Sequence, residues 1–399
     1  MVIGLVGGLS ALIDGDETYK VLVRGDASDW IAPYIAGRAS LLPTSSAVAT
    51  WRRRAKRAAG PFATGLGEAW RRRPMLPGEH VPGPPPSDGT IERAGVDVVH
   101  FTFQKGFRTD VPSIYHPHDL QHMHLPEFFS ARERSMRDRW YRELAMQAAL
   151  VVVTSTWVRD DVVRMLGIPK ERVQVVPWAP ILHAYPVPTA EEVDAVRVRF
   201  GLPDRFVFYP AQTWPHKNHA ALLEAVEILG RRERLQVPLV FSGRQTSHAQ
   251  AIRRRARRLG ITELVHWTGF VRPVELQALY SLAHAVVIPT RFEAASGPLW
   301  EAFLAGVPAA CSNVTSLPAQ AGDAAILFDP DDIDGIALAI QRLWMDARLR
   351  DQLVRRGRAN VNRFSWDHTA RLFRAHYRRI AGRSLAGDDV ALLAAPPLL

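Results

Sequence analysis

Residues 285–302 read AVVIPTRFEAASGPLWEA, and their reading decides the fold. Ala285–Pro289 is a short β-branched run. A small-residue turn follows, and Ser296, Gly297 and Pro298 mark the start of a helix. A helix that opens just past the carboxyl end of a buried strand gathers free N–H groups and the positive end of its dipole at one place, which suits a phosphate or diphosphate. Glu293 in the turn and Glu301 in the helix flank that place, with seven residues between them. Carboxylates repel a phosphate at short range, so they fit there as acceptors for hydroxyl groups on either side of a diphosphate. Glu301 also reads as a plain first-turn glutamate that complements the dipole.

Working outward, 399 residues allow two domains with separate cores. The 47% hydrophobic and 23% charged content is that of a globular protein. The single cysteine, Cys311, excludes an internal disulfide and suits a reducing cytoplasm. The apolar start, VIGLVGGLSALI, is too short to span a membrane, lacks a basic leader and runs into acidic DGDE. A net charge of +10 points to anionic partners: phosphate-bearing substrates, an anionic membrane surface or nucleic acid. No nucleic-acid motif accompanies the charge, so nucleic acid is not expected.

Val2, Leu5, Val6, Leu9, Leu12 and Ile13 recur at helical spacing, and the first strand follows at Tyr19–Val23. Residues 51–73 are basic, with Trp51 and Trp70 near their ends; they read either as a solvated face or as a surface for anionic lipid. Pro74–Pro86 is a proline-rich loop. Strand runs at 96–101, 113–116, 150–154 and 173–176 then alternate with helical runs near 131–149 and 157–166. Such alternation predicts a parallel sheet with helices on both faces. Pro177–Pro188 breaks it as a connector. Strands at 206–209, 239–242, 264–267, 285–288, 308–311 and 325–328 rebuild it, interleaved with helices. An arginine-rich last helix ends near Ile380 and leaves a tail expected to fray.

Four segments together resemble glycosyltransferase family 4. They are YPAQTWPHKNHAALLEA (209–225), HWTGFV (266–271), FEAASGPLWEAFLAGVPAACSN (292–313) and HDLQHMHLPEFFS (118–130). The resemblance covers nearly the whole chain and implies the α/β GT-B fold, two Rossmann-like domains facing across a cleft. It implies an acceptor-side domain at 1–178, a linker at 179–203, a nucleotide-sugar domain at 204–365, and a C-terminal helix and tail at 366–399 that pack back on the first domain. The implied activity is retaining transfer of a hexose-type sugar, mannosyl, rhamnosyl or glucosyl, from a nucleotide-diphosphate donor to a hydroxyl acceptor in polysaccharide or glycolipid assembly. A non-catalytic nucleotide-sugar-binding partner in a membrane-associated complex is the alternative.

The resemblance also implies roles. Lys217 would contact the donor diphosphate, Glu293 the transferred sugar and Glu301 the ribose hydroxyls. The backbone around Ser296, Gly297, Pro298 and Leu299 would receive the phosphates, with Gln212, Gly243 and Arg244 beside them and Phe270 and Val271 lining the base pocket. His118, with Asp119 and His122, would serve the acceptor side; His118, Lys217 and Glu293 are the catalytic candidates. His124 lies close enough in sequence for a metal cluster to compete, but cationic side chains and helix ends do that work in this family, so no metal or other cofactor is expected. The enzyme would be cytoplasmic and peripheral on the inner membrane face.

Three positions depart from the family pattern. Gln212 stands where many relatives carry a phosphate-binding arginine, which Arg244 or Arg291 would replace, and Ala319 stands for a frequent glutamate. Relatives begin with a strand and a glycine-rich loop ahead of the first helix, so Met1 reads as an internal methionine and the first sheet as one strand short.

Overall fold

A computed structural model describes residues 1–24, 28–44 and 79–399. The basic stretch 51–73 lies outside the described residues. The chain divides into two compact units: Met1–Trp178 with Trp366–Leu398, and Ala179–Ser365.

The first unit holds β1 (Tyr19–Arg24), β2 (Ala39–Thr44), β3 (Val99–Phe101), β4 (Ser113–Tyr115), β5 (Leu150–Val153) and β6 (Val173–Val175). These make two parallel sheets, β1-β2 and β3-β4-β5-β6. Strand β5, LVVV, is buried at every residue, which is why it reads as continuously apolar. The Ala131–Gln147 helix starts where Ser130 and Glu133 cap each other: the Glu133 N–H donates to Ser130 Oγ at 3.2 Å, and the Ser130 N–H donates to Glu133 Oε2 at 3.2 Å. Strand β2 was not anticipated, because Pro43 inside it reads as a break; proline is tolerated in an edge strand.

The Val2–Ser10 and Trp366–Ile380 helices pack together through two glycines. A Cβ on Gly4 would lie 2.0 Å from the Trp366 ring, and one on Gly8 would lie 2.6 Å from the Trp366 carbonyl oxygen. Arg374 closes the same contact, donating to the Asp14 backbone and carboxylate at 2.9 Å each. The Arg374 hydrogen bond holds the Asp14 carboxyl down at about 2. The tail, expected to fray, forms a helix at Gly387–Ala394. It is tied down by Asp389, whose buried carboxylate accepts from Arg378 Nη1 at 2.7 Å and from the Ala386 N–H at 2.9 Å.

The second unit holds β7 (Val207–Pro210), β8 (Leu239–Ser242), β9 (Val265–Gly269), β10 (Ala285–Ile288), β11 (Ala309–Ser312) and β12 (Ala325–Phe328). All pair in parallel in the order β12-β11-β10-β7-β8-β9. Strands β8, β10 and β11 are buried at every residue, and burial of each large aliphatic side chain contributes about 1.5–3 kcal/mol. Residues 179–203, expected as a linker, belong instead to this unit and carry the Ala190–Phe200 helix. A capping box starts it: the Glu192 N–H donates to Thr189 Oγ1 at 3.3 Å and the Thr189 N–H to Glu192 Oε2 at 2.9 Å.

His100 on β3, with His116 just past β4, joins the last long helix to the sheet of these strands. His100 Nε2 lies 2.7 Å from His116 Nε2, and His100 Nδ1 lies 2.7 Å from the Tyr377 hydroxyl. Two imidazole nitrogens that close share one proton. Burial pushes His100 and His376 down to about 3 and His116 well below the usual range. The unfolded chain takes up protons below about pH 6.5 while these rings stay neutral in the fold, so their stability is complete above that pH and lost as pH falls toward 3. Urea unfolding at pH 5.5 should show about 1 kcal/mol less stability per histidine than at pH 7.5. His116→Leu should reduce that dependence by one histidine's share, about 1 kcal/mol; an unchanged pH slope would place its origin elsewhere.

Candidate active site

In the sheet of the second unit the chain runs outward from β7 in one direction through β8 and β9, and in the other through β10 to β12. Loops after β7 and β10 therefore leave in opposite directions, and ligands of open α/β sheets bind in the crevice this switch creates. The β7 loop carries Lys217 and the β10 loop carries Glu293; their side chains form an ion pair, Lys217 Nζ to Glu293 Oε1, with 20% and 12% of each exposed.

Backbone contacts fix both loops. The Arg291 N–H donates to the His216 carbonyl at 2.8 Å, and the Tyr209 hydroxyl donates to the Lys217 carbonyl at 2.9 Å. Asn218, at φ 56°, ends the turn; its side chain donates to the Pro330 carbonyl at 2.9 Å, and the His219–Glu233 helix begins there. The Glu293 carbonyl accepts from Thr315 Oγ1 at 2.5 Å and from Ser316 Oγ at 2.8 Å. Burial, with Glu293 nearby, pushes the Cys311 thiol up to about 12, so the one cysteine is inert.

The helix Gly297–Ala305 opens at this crevice. Gln320 clamps its start, accepting from the Ser296 N–H at 2.8 Å and donating to the Ser296 carbonyl at 2.7 Å. Ser296 Oγ is buried and has no hydrogen-bond partner among the described residues. Glu301 is 6% exposed, and its Oε2 accepts from the Tyr280 hydroxyl at 2.8 Å. A merely dipole-complementing glutamate would sit in solvent. Burial raises the Glu301 carboxyl to about 6, and the Tyr280 hydrogen bond works against that rise.

The remaining donor-side candidates lie on the loops after β7, β8 and β9. Gln212 Oε1 accepts from Trp214 Nε1 at 3.2 Å. Gly243, at φ 124°, donates its N–H to the Gly269 carbonyl at 2.7 Å; a Cβ there would lie 2.8 Å from the Ala211 carbonyl oxygen, so only glycine lets the β7 and β8 loops approach. The Arg244 carbonyl accepts from the Thr213 N–H at 3.3 Å, which sets this exposed arginine beside the Lys217 loop. Arg291 is held by Asp331 through Nε and Nη2 at 3.0 and 2.8 Å. Val271 is buried, but Phe270 is 84% exposed and turns its ring to solvent.

His118, Asp119 and His122 lie in the first unit. His118 follows β4 at φ 63°, with Nε2 3.0 Å from the Thr102 carbonyl and its ring edge-on to Trp178. Asp119 Oδ1 accepts from the Gln121 N–H at 3.1 Å. His122 instead belongs to the core: it is buried against Phe129 and Tyr141, and burial lowers it to about 4. His124 pairs with Asp161 at 2.8 Å. Among the described residues no three His, Cys, Asp or Glu side chains gather as metal ligands. Sequence reasoning missed Tyr280 and Gln320, which hold the Glu301 carboxylate and the helix start; neither belongs to a motif, and only their contacts give them away.

The family model described as Glycosyltransferase Family 4 matches residues 47–179, and the one described as Glycosyl transferases group 1 matches residues 193–360. The chain is 29% identical over 267 residues to O-antigen chain mannosyltransferase B of Escherichia coli, covering 64% of this chain and 70% of that protein. It is 30% identical over 203 residues to the serotype-specific mannosyltransferase WbdA of Escherichia coli, covering 50% of this chain and 25% of that longer protein. Its fold is similar to that of Anabaena HepE, crystallised with UDP and glucose, at a TM-score of 0.66 and 15% identity over 95% of both chains.

Tyr280→Phe removes the one hydroxyl that stabilises the Glu301 carboxylate. The midpoint of Glu301, followed by carbon NMR, should rise from about 6 in that variant. No change would mean that the hydrogen bond does not bear on the charge.

Proposed function

Because the chain belongs to glycosyltransferase family 4, we propose that it moves a mannosyl-type hexose from a nucleotide-diphosphate donor to a hydroxyl acceptor with retention of configuration, in polysaccharide or glycolipid assembly. One observation carries the reading: Lys217 and Glu293, from separate loops, meet at the strand-order switch beside a helix start. The names of the mannosyltransferase relatives support the sugar, and the UDP and glucose bound to HepE support the donor class.

In this reading the sugar–phosphate bond lengthens, negative charge grows on the departing diphosphate, and the acceptor hydroxyl attacks from the same face. Lys217 and the free N–H groups of Gly297 and Leu299 meet that charge, the electrostatic term that dominates such catalysis. The donor takes over Lys217 from Glu293, and Glu293 is then free to accept a sugar hydroxyl. Glu301 keeps Tyr280 on Oε2 and offers Oε1, which faces Gly297, to the ribose hydroxyls.

Gln212 brings no charge to the diphosphate. Arg244 carries no ion pair among the described residues, whereas Arg291 is occupied by Asp331, so Arg244 is the replacement cation. Lys217, Arg244 and the helix end take the place of a divalent metal, and transfer that persists in EDTA tests this. On the acceptor side, His118 contacts the transferred sugar or its phosphate, with Asp119 beside it. No helix among the described residues is long and apolar enough to cross a membrane. Work on lipid-linked acceptors at the cytoplasmic face would draw on the basic balance of the chain.

Lys217→Ala should lower turnover by about 10²–10³-fold, and near-normal turnover would remove the assignment. Arg244→Ala should cost more activity than Arg291→Ala, and the reverse order would exchange their roles. A thermal-shift panel of UDP, GDP, ADP and dTDP, each with and without its sugars, should give a rise in Tm with one base, which names the donor. No rise with any would count against the donor site.

A further inference from the structure

Two threonines fasten the loop after β7 to the loop after β8. The Thr246 N–H donates to Thr213 Oγ1 at 2.7 Å, and Thr246 Oγ1 donates to the Thr213 carbonyl at 2.6 Å. A hydroxyl has one proton to give. That of Thr246 is spent on the carbonyl, so in the 3.1 Å contact between the two hydroxyls Thr213 is the donor. Thr246 Oγ1 also accepts from the His248 N–H at 3.2 Å, where the Ala249–Arg258 helix opens. The Thr213 N–H donates to the Arg244 carbonyl at 3.3 Å, so every polar group of this buried threonine is engaged.

Neither hydroxyl has a proton left for a ligand, so the pair acts through what the two loops carry. Between Gly243 and Thr246 the β8 loop holds Arg244 and Gln245. Its backbone is fixed on one side by the Gly243 N–H on the Gly269 carbonyl at 2.7 Å, and on the other by the threonines. The Arg244 side chain stands exposed on that pinned backbone, with no ion pair among the described residues. On the β7 loop, Thr213 is followed closely by Lys217, whose N–H donates to the Trp214 carbonyl at 3.0 Å.

We infer that Thr213 and Thr246 are positioning residues, their clasp holding Arg244 at the distance from Lys217 that one diphosphate can bridge. This rests on the reading of both cations as donor contacts. A long side chain on a loose loop gives up backbone and rotamer freedom when it meets an anion, and one on a loop fixed beforehand gives up less. Threonine suits the task, because its hydroxyl donates and accepts at once while its branched Cβ stiffens χ1. An apolar side chain of the same shape at position 246 would leave the Thr213 carbonyl without its hydroxyl donor and loosen the turn that carries Arg244.

Calorimetry on the full chain tests this, with whichever of UDP, GDP, ADP and dTDP raises Tm most as the probe. If none of the four binds the unsubstituted chain, the donor-site reading falls and the clasp with it; where one binds, the variants decide the clasp alone. Thr246→Val should weaken binding about tenfold, one hydrogen bond's worth, and Thr246→Ser, which keeps the hydroxyl, should restore it to within about threefold. With Arg244→Ala already in place, Thr246→Val should cost less than about twofold more, because no arginine is left to position. A clasp that only holds the fold together would cost the same in both backgrounds. That result, or undiminished binding in Thr246→Val, overturns the proposal. Should Thr246→Val fail to fold, as read by circular dichroism, Thr213→Val replaces it under the same criteria, since it removes the other hydroxyl and leaves the bond to the Thr213 carbonyl.

Discussion

Strand β7 hydrogen-bonds to β10 on one side and to β8 on the other, and the candidate active site depends on that pairing. A parallel sheet buried on both faces presents ligands only with its strand ends. At β7 the strand order turns back on itself, the position at which open α/β sheets bind their ligands. Lys217 and Glu293, 76 residues apart in sequence, come into contact there, and a helix starts at Gly297, four residues after Glu293. Gly243 lets the β8 loop close up against the β7 loop, which keeps Arg244 within the same neighbourhood.

Charge in the second unit is arranged by burial as much as by pairing. Glu301 lies in the interior with a single hydroxyl on one oxygen, and burial raises its carboxyl into the range where its protonation is sensitive to its neighbours. Glu293 is matched by a cation, and its backbone is pinned by Thr315 and Ser316. Gln320 holds the helix start through both faces of Ser296, so the N–H groups that face the crevice do not fray. A site built this way has its donors aimed before a ligand arrives, the condition under which electrostatic stabilisation is strongest.

The first unit solves a different problem, that of holding the last long helix of the chain against the first. Gly4 and Gly8 permit the close approach to Trp366, and the Arg374–Asp14 pair fixes its register. The histidines beneath are kept neutral by burial, and the contact between His100 and His116 leaves space for one proton only. These are packing roles, and they explain why a histidine-rich segment yields His118 at a strand end but sends His122 into the core.

Much of this was legible in the sequence, because the signals were local. The β-branched runs of β5, β8 and β10 announce strands buried on both faces, and Gly297–Pro298 announces the helix start. Even the unexpected Ala190–Phe200 helix carried its own mark, the capping box of Thr189 and Glu192, overlooked because proline-rich neighbours suggested a connector. Pro43 concealed β2 in the same way, since proline breaks a central strand but not an edge. What only the tertiary structure decided are the contacts between segments distant in sequence: Tyr280 on Glu301, Gln320 on Ser296, His100 on His116, the pairing of Arg291 with Asp331, and the separation of β1-β2 from the other four strands. Sequence determines which backbone each residue prefers and which faces are apolar. Which polar group meets which is decided by packing, because burial forces each donor and acceptor to find a partner wherever the fold has placed one.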